Sequence, residues 1–353
     1  MERLDDPGYI TKLDKSKMRM LIGNLPDQFS MASKSFQEAK LNLKARFSSV
    51  VVAGMGGSAI GGDLVSAYLS SNLPAPVWVV RNYEVPSFVT RNTLLIAVSY
   101  SGNTEETLSA FEDGKRKRAR IVCIASGGSL TEIAKSESIP FLTVPRGMPP
   151  RCAIGFLSTS ILLSIGLAFD VSGLTTELEE VGDVLKKMKN VLEPDNPVKK
   201  NPAKKIAGKL AHKLPFVYSS SRMTDPVARR WSTQINENAK SLCHYSSLPE
   251  LDHNEIVGWG IPREVSYASH VLFLDPGNLS EKLRRRLAVT KEIISQMAEV
   301  ESLTASGTGN LARLFSLVFL GDYVSFYLAM LNGVDPTPIE RIDLLKKRLK
   351  EGH

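Results

Sequence analysis

The sequence predicts an α/β protein built of two doubly wound domains, each a parallel sheet flanked by helices. Three observations carry this. Short continuous apolar runs alternate with helix-like segments, the pattern of buried parallel strands joined by helical crossovers. The 353 residues are long for one domain and comfortable for two. Between two such series lies Lys186–Lys204, a polar stretch that holds Pro194, Pro197 and Pro202. It divides the chain into residues 1–185, a linker region 186–204 and residues 205–353.

Each element has its own warrant. After a polar helical N-terminal segment, Ser49–Ala53 is a fully apolar run from Val50 onward, read as a buried strand that ends in the glycine-rich Gly54–Asp63 turn and a helix. Val77–Val80, Leu94–Val98, Ile121–Ile124 and Phe141–Val144 repeat the strand pattern, and Ile154–Phe169 is long enough for an apolar helix. In the second half Phe216–Ser219 leads through Ser220-Ser221 into a helix from Pro226. Val271–Leu274 and Val300–Leu303 supply later strands, Thr308–Leu331 a long apolar helix and Pro338–Leu349 an amphipathic one. Both halves open with a strand that ends in a Gly/Ser turn, without a clear sequence repeat.

Composition bounds the function. The chain is 43% hydrophobic and 23% charged, as ordinary globular proteins are. A net charge of +7 favours anionic partners, but no aromatic-rich basic motif accompanies it. A small phosphorylated ligand fits better than nucleic acid, and Lys115–Arg118 and Arg284–Arg286 read as solvated helix faces. Three cysteines, Cys123, Cys152 and Cys243, show neither disulfide-framework nor metal-ligand spacing. The longest apolar stretches, Leu157–Phe169 and Leu314–Leu331, are too interrupted to read as membrane spans, and no apolar leader opens the chain. A soluble cytoplasmic protein is expected.

The most informative motif is Ser99-Tyr100-Ser101-Gly102-Asn103-Thr104, where an apolar strand gives way to a helix from Glu105. Hydroxyls and a glycine in such a turn leave backbone N–H groups at a helix N-terminus, where a phosphate is favoured. The same residues also make an ordinary helix cap. Three hydroxyls within six positions favour the anion. Gly54-Met55-Gly56-Gly57-Ser58-Ala59 fits the loose dinucleotide form G-x-G-x-x-A, yet no ribose-binding acid is evident about twenty residues on. Two consecutive strand-end loops, one glycine-rich and one hydroxyl-rich, suit a sugar phosphate better.

Gly54–Asp63 together with Ser99–Thr107 resembles the sugar isomerase (SIS) domain. The whole chain resembles the bifunctional phosphoglucose/phosphomannose isomerases within that superfamily. Pro150-Arg151-Cys152-Ala153-Ile154-Gly155, Asn236-Glu237-Asn238-Ala239-Lys240, Leu251–Trp259 and Gly333-Val334-Asp335-Pro336-Thr337-Pro338 are similar to its other signature segments. The resemblance covers essentially the full length.

What it implies is aldose–ketose isomerisation, which needs a ring-opening group, a base for C2 and a cation for the enediolate. By resemblance Glu237 is the base, Arg151 steadies the enediolate, His253 opens the ring and Lys346 assists it, with Lys347 adjacent as the competing register. Ser99, Ser101 and Thr104 match the phosphate loop, Gly57 and Ser58 the first loop near the sugar, and Tyr100 shapes the loop. No metal or redox cofactor is called for. The resemblance further implies a homodimer, with His253 reaching the site across the interface, and a role for Thr337 in leaving room for the intermediate; an N-cap of the last helix is the alternative there. Each residue also has an ordinary reading. Glu237 could be an exposed helix carboxylate, with Glu250 and Glu255 its competitors. His253 could be structural, Arg151 a loop cap, and Lys346 or Lys347 surface lysines. A non-catalytic phosphosugar sensor and an isomerase of other sugar phosphates are the rival functions.

Overall fold

The computed structural model describes residues 1–43 and 45–351. Helices α1 (Pro7–Leu13), α2 (Met18–Gly23) and α3 (Leu25–Ala39) precede the first sheet. Strand β1 (Ser49–Ala53) is followed by α4 (Gly56–Leu69), β2 (Val77–Val80), β3 (Thr93–Ser99), α5 (Glu105–Arg116), β4 (Arg120–Ala125), α6 (Gly128–Ser136) and β5 (Phe141–Thr143). A 3₁₀ turn at Pro150–Cys152 leads into α7 (Ile154–Phe169), α8 (Leu174–Leu192) and α9 (Pro202–Leu210). The second series is β6 (Leu214–Ser219), α10 (Asp225–Ala239) and β7 (His244–Ser247), then α11 (Arg263–Tyr267), β8 (Ser269–Asp275), α12 (Glu281–Ser295), β9 (Glu299–Thr304), α13 (Asn310–Leu331) and α14 (Glu340–Lys350).

Both sheets are parallel throughout, in the orders β2-β1-β3-β4-β5 and β7-β6-β8-β9. The two-sheet, doubly wound architecture is as the apolar runs predict. Burial shows why those runs are continuous. Val50 and Val52 of β1 pack into one core, while Val51 and Ala53 face a separate one on the other side of the sheet. In the second sheet Val217, Leu272 and Leu274 join the first of these cores, and Tyr218, Val271 and Phe273 form a third. Successive strand residues point to opposite faces, so a sheet covered on both sides needs apolar residues at every position.

The shared core lies between the sheets, and α13 runs through it. That helix is long and apolar enough to cross a membrane by length and composition, but its apolar window is 89% buried inside the protein. Phe315 meets Phe29 of α3 edge to face at 4.8 Å. The two halves are thus joined by a common apolar layer as well as by chain.

Two local features go beyond the sequence reading. Within the stretch read as a linker region, α8 runs on to Leu192 and α9 begins at Pro202. Leu185 and Leu192 are buried while the lysines between them lie on the open side of the helix, so its apolar face continues past 186. Strand β7 has no counterpart among the predicted strands. It is an edge strand with the sequence His-Tyr-Ser-Ser, too polar to register as a buried run.

Candidate active site

The glycine-rich and hydroxyl-rich loops leave adjacent strands, β1 and β3, at the same end of the first sheet. Ser58, in the first turn of α4, is buried, and its Oγ accepts from the Tyr100 N–H at 3.2 Å, tying one loop to the other. Tyr100 shapes the second loop as predicted. Its hydroxyl donates to Pro145 O at 2.9 Å and accepts from Met148 N at 3.2 Å. Gly57 is a place where only glycine fits, because a Cβ there would stand 2.9 Å from Pro150 O and 3.2 Å from Arg151 N. The missing side chain lets α4 seat directly on the 3₁₀ turn that carries Arg151.

Inside the second loop, the buried Ser99 Oγ donates to Thr104 Oγ1 at 2.9 Å and accepts from Gly102 N at 3.1 Å. Gly102 adopts φ +74°, the left-handed conformation that glycine enters without strain. Ser101 is exposed, its Oγ 3.2 Å from Asn103 N. Thr104 occupies the N-cap position of α5 without capping it by its side chain, and because it accepts from Ser99 its own hydroxyl hydrogen stays available for an anion.

Arg151 is the hub. Its side chain is 5% exposed, and its Nη1 lies 3.3 Å from Glu237 Oε2, with the glutamate 30% exposed near the C-terminal end of α10. Nε donates to Asn238 Oδ1 at 2.8 Å, and Nη2 donates to Pro336 O at 2.9 Å and Thr337 O at 3.0 Å. Residues from an early 3₁₀ turn, from α10 and from the 335–338 turn therefore meet at one cation. Chemically this is a half-open carboxylate held against a fixed guanidinium, able to take and return a proton while the cation faces negative charge.

Lys240 belongs to the same cluster, although its motif gives it no role in the sequence. Its Nζ donates to Glu237 O at 2.5 Å and Pro336 O at 3.2 Å. Burial, and after it the nearby Arg151 charge, push its ammonium below the usual lysine range. Asn238 also belongs to the cluster, through Arg151 Nε, and the sequence reading gives it no role of its own. The available signal is Arg230, Gln234 and Asn238 at intervals of four, a polar stripe that α10 turns inward.

Other candidates stand apart from this cluster within one chain. His253 closes the 3₁₀ turn Glu250–His253 and is exposed, and among the described residues no hydrogen bond or ion pair joins it to Glu237 or Arg151. Lys346 is exposed on α14, and Lys347 lies 3.8 Å from Glu351. The competing carboxylates are engaged elsewhere. Glu250 accepts from Asn254, and Glu255 accepts from the Tyr218 hydroxyl and lies 2.9 Å from His244 Nε2. Thr337 does not cap α14, whose N-cap is Ile339; the Thr337 Oγ1 is buried and has no hydrogen-bond partner among the described residues. Members of both basic runs pair with acids, Lys115 with Glu137 at 2.6 Å, Lys117 with Asp113 at 3.0 Å and Arg286 with Asp252 at 2.9 Å.

Both halves of the chain match known families. Residues 44–146 match the SIS domain, and residues 199–349 match the bacterial phospho-glucose isomerase C-terminal SIS domain. The chain is 39% identical to the bifunctional phosphoglucose/phosphomannose isomerase of Caldicellulosiruptor bescii, over 93% of this chain and 97% of that one. It is 37% identical to the protein of the same name from Aquifex aeolicus, over 86% and 91%. A hypothetical protein of Thermus thermophilus shares the fold, with a TM-score of 0.74 at 17% identity over 98% of this chain and 91% of that one. The chain belongs to the family of bifunctional phosphoglucose/phosphomannose isomerases.

Proposed function

We propose that the protein reversibly converts glucose 6-phosphate and mannose 6-phosphate to fructose 6-phosphate through a shared cis-enediol, with Glu237 as the base. The observation that carries this reading is the Arg151–Glu237 pair, buried on the arginine side and open on the glutamate side, at 3.3 Å. In the open-chain aldose, Glu237 takes the proton from C2. The C–H electron pair forms the C1–C2 double bond and negative charge moves to O1, where Arg151 stabilises it. The proton on O2 passes to O1, Glu237 returns its proton to C1, and C2 becomes the carbonyl. In this reading Ser99, Ser101 and Thr104 hold the phosphate and Gly57 and Ser58 line the sugar, with residues 1–185 supplying both loops and residues 205–353 the base.

Glucose and mannose 6-phosphate differ only at C2, which is planar in the enediol. Dual specificity therefore requires the intermediate to turn about C2–C3 so that either face meets Glu237. Thr337 supplies the space in this reading, and its carbonyl, which accepts from Arg151 Nη2 at 3.0 Å, sets the residue beside the candidate cation.

The reading includes a homodimer in the cytoplasm, in which His253 opens the ring from across the interface and Lys346 assists. Its support is the segment that follows His253, where Val257 and Ile261 are 84% and 86% exposed. Apolar side chains this open, grouped around one segment, mark a surface that associates.

Glu237→Gln tests the reading against a phosphosugar sensor. Turnover falls by about 10²–10⁴-fold while phosphosugar binding persists, the range for loss of a general base. Unchanged turnover would reject Glu237 as the base, and a wild-type protein that binds without turning over would be a sensor.

A further inference from the structure

Five buried polar side chains close a hydrogen-bonded ring between α10, α13 and the Pro150–Cys152 turn through the backbone carbonyls of Arg151 and Asp322, and a sixth, Gln234, is joined to it. Asp322 accepts from Arg230 Nε at 3.1 Å and Nη2 at 2.8 Å, and from Gln234 Nε2 at 2.8 Å. The same Arg230 Nη2 donates to the backbone carbonyl of Arg151 at 2.9 Å. From the other end, Arg151 Nε donates to Asn238 Oδ1, Asn238 Nδ2 donates to Ser325 Oγ at 3.0 Å, and Ser325 Oγ donates to Asp322 O at 2.8 Å. Each of these residues is no more than 5% exposed.

The donor sense of this ring is forced. Arginine can only donate, so the Asn238 oxygen must face it and the amide NH₂ must turn to Ser325, whose hydroxyl hydrogen is then directed to the Asp322 carbonyl. With Nε on Asn238 and both Nη2 hydrogens on Pro336 O and Thr337 O, only Nη1 remains to face Glu237 and a substrate. A buried ion pair such as Arg230–Asp322 adds little stability over well-packed apolar residues. What it does here is hold the backbone of a second arginine.

We infer that Asn238 is a positioning residue for the isomerisation: anchored on Ser325, it fixes the rotation of the Arg151 guanidinium so that Nη1 alone serves the reacting oxygen. This rests on the isomerase reading above for its effect on turnover. Its structural half does not. Without the Nε contact the guanidinium keeps only its Nη2 bonds to Pro336 O and Thr337 O and can pivot about them, and misplacement on the scale of an ångström costs about 10²-fold in rate.

The test combines kinetics with ¹⁵N NMR of the Arg151 Nε–H, assigned by its loss in Arg151→Lys. In the wild type this proton exchanges slowly with solvent. In Asn238→Ala exchange becomes fast, kcat falls about 10–100-fold and KM stays within about 3-fold. Asn238→Asp, which keeps an acceptor at the same place, regains the protection. If Asn238→Ala does not fold, Ser325→Ala leaves the amide but removes its anchor and shows partial loss of both protection and kcat. Protection that survives Asn238→Ala, or lost protection with kcat unchanged, would overturn the inference. A wild type without turnover would refute the isomerase reading instead, while the exchange measurement still decides whether Asn238 holds Arg151.

Discussion

Arg151 meets Glu237, Asn238, Pro336 and Thr337, residues that lie 86 to 186 positions away in the chain. The candidate base and cation are legible from motifs, because Glu237 and Arg151 each stand in a recognisable segment. What surrounds them is not. Asn238 and Lys240 make their contacts with residues on distant elements; the stripe Arg230, Gln234 and Asn238 marks an inward-facing amide without saying which cation it meets, and Lys240 reads as a helix-end lysine. Thr337 is the residue at which specificity is testable. Thr337→Gln puts a longer side chain beside Arg151, and on the proposed reading turnover of mannose 6-phosphate falls about tenfold more than that of glucose 6-phosphate, a difference the size of one misplaced group in a pocket. Equal losses in parallel assays would remove Thr337 from the specificity argument.

At the scale of elements, sequence legibility follows burial. Strands β1, β3, β4 and β8 are covered on both faces and announce themselves as unbroken apolar runs. The edge strand β7 does not, and the end of α8 is hidden by lysines on its open side. The segment after β7 matters because it presents His253, and Glu255 anchors it by taking the Tyr218 hydroxyl and the His244 imidazole. Burial works to raise the Glu255 carboxyl, but hydrogen bonds from His244, Tyr218 and Ser246 outweigh it and hold the group below its usual 4.5. A folded-state value below the unfolded one contributes stability that is full above about pH 4.5 and is lost as pH falls through the depressed value. Glu255→Gln therefore lowers stability by about 1–3 kcal/mol at pH 7, and chemical denaturation shows the gap to wild type closing as the pH is taken below 4.5. A gap that stays constant with pH would mean the carboxylate charge is not what anchors the turn.

For the whole molecule, the single chain brings the glycine-rich loop and the Glu237–Arg151 pair together through Gly57 and leaves His253 apart from them. That arrangement is the reason to place a second copy at the apolar surface around Val257 and Ile261. Val257→Asp with Ile261→Asp yields a monomer in sedimentation experiments, with isomerase turnover down by about 10²-fold or more, as loss of a proton-transfer group requires. A fully active monomer would contradict the shared site. Burial pushes the Cys123 and Cys152 thiols up to about 12, so neither presents a reactive thiolate to confuse these assays.

The most direct test of the central claim is NMR of the purified protein incubated with fructose 6-phosphate in D₂O, following both aldose products and the label at their C2. The account predicts that glucose 6-phosphate and mannose 6-phosphate both form, each carrying deuterium at C2 from exchange through the enediol. Glucose 6-phosphate alone, or products without deuterium at C2 after solvent-exposed turnover, would contradict it.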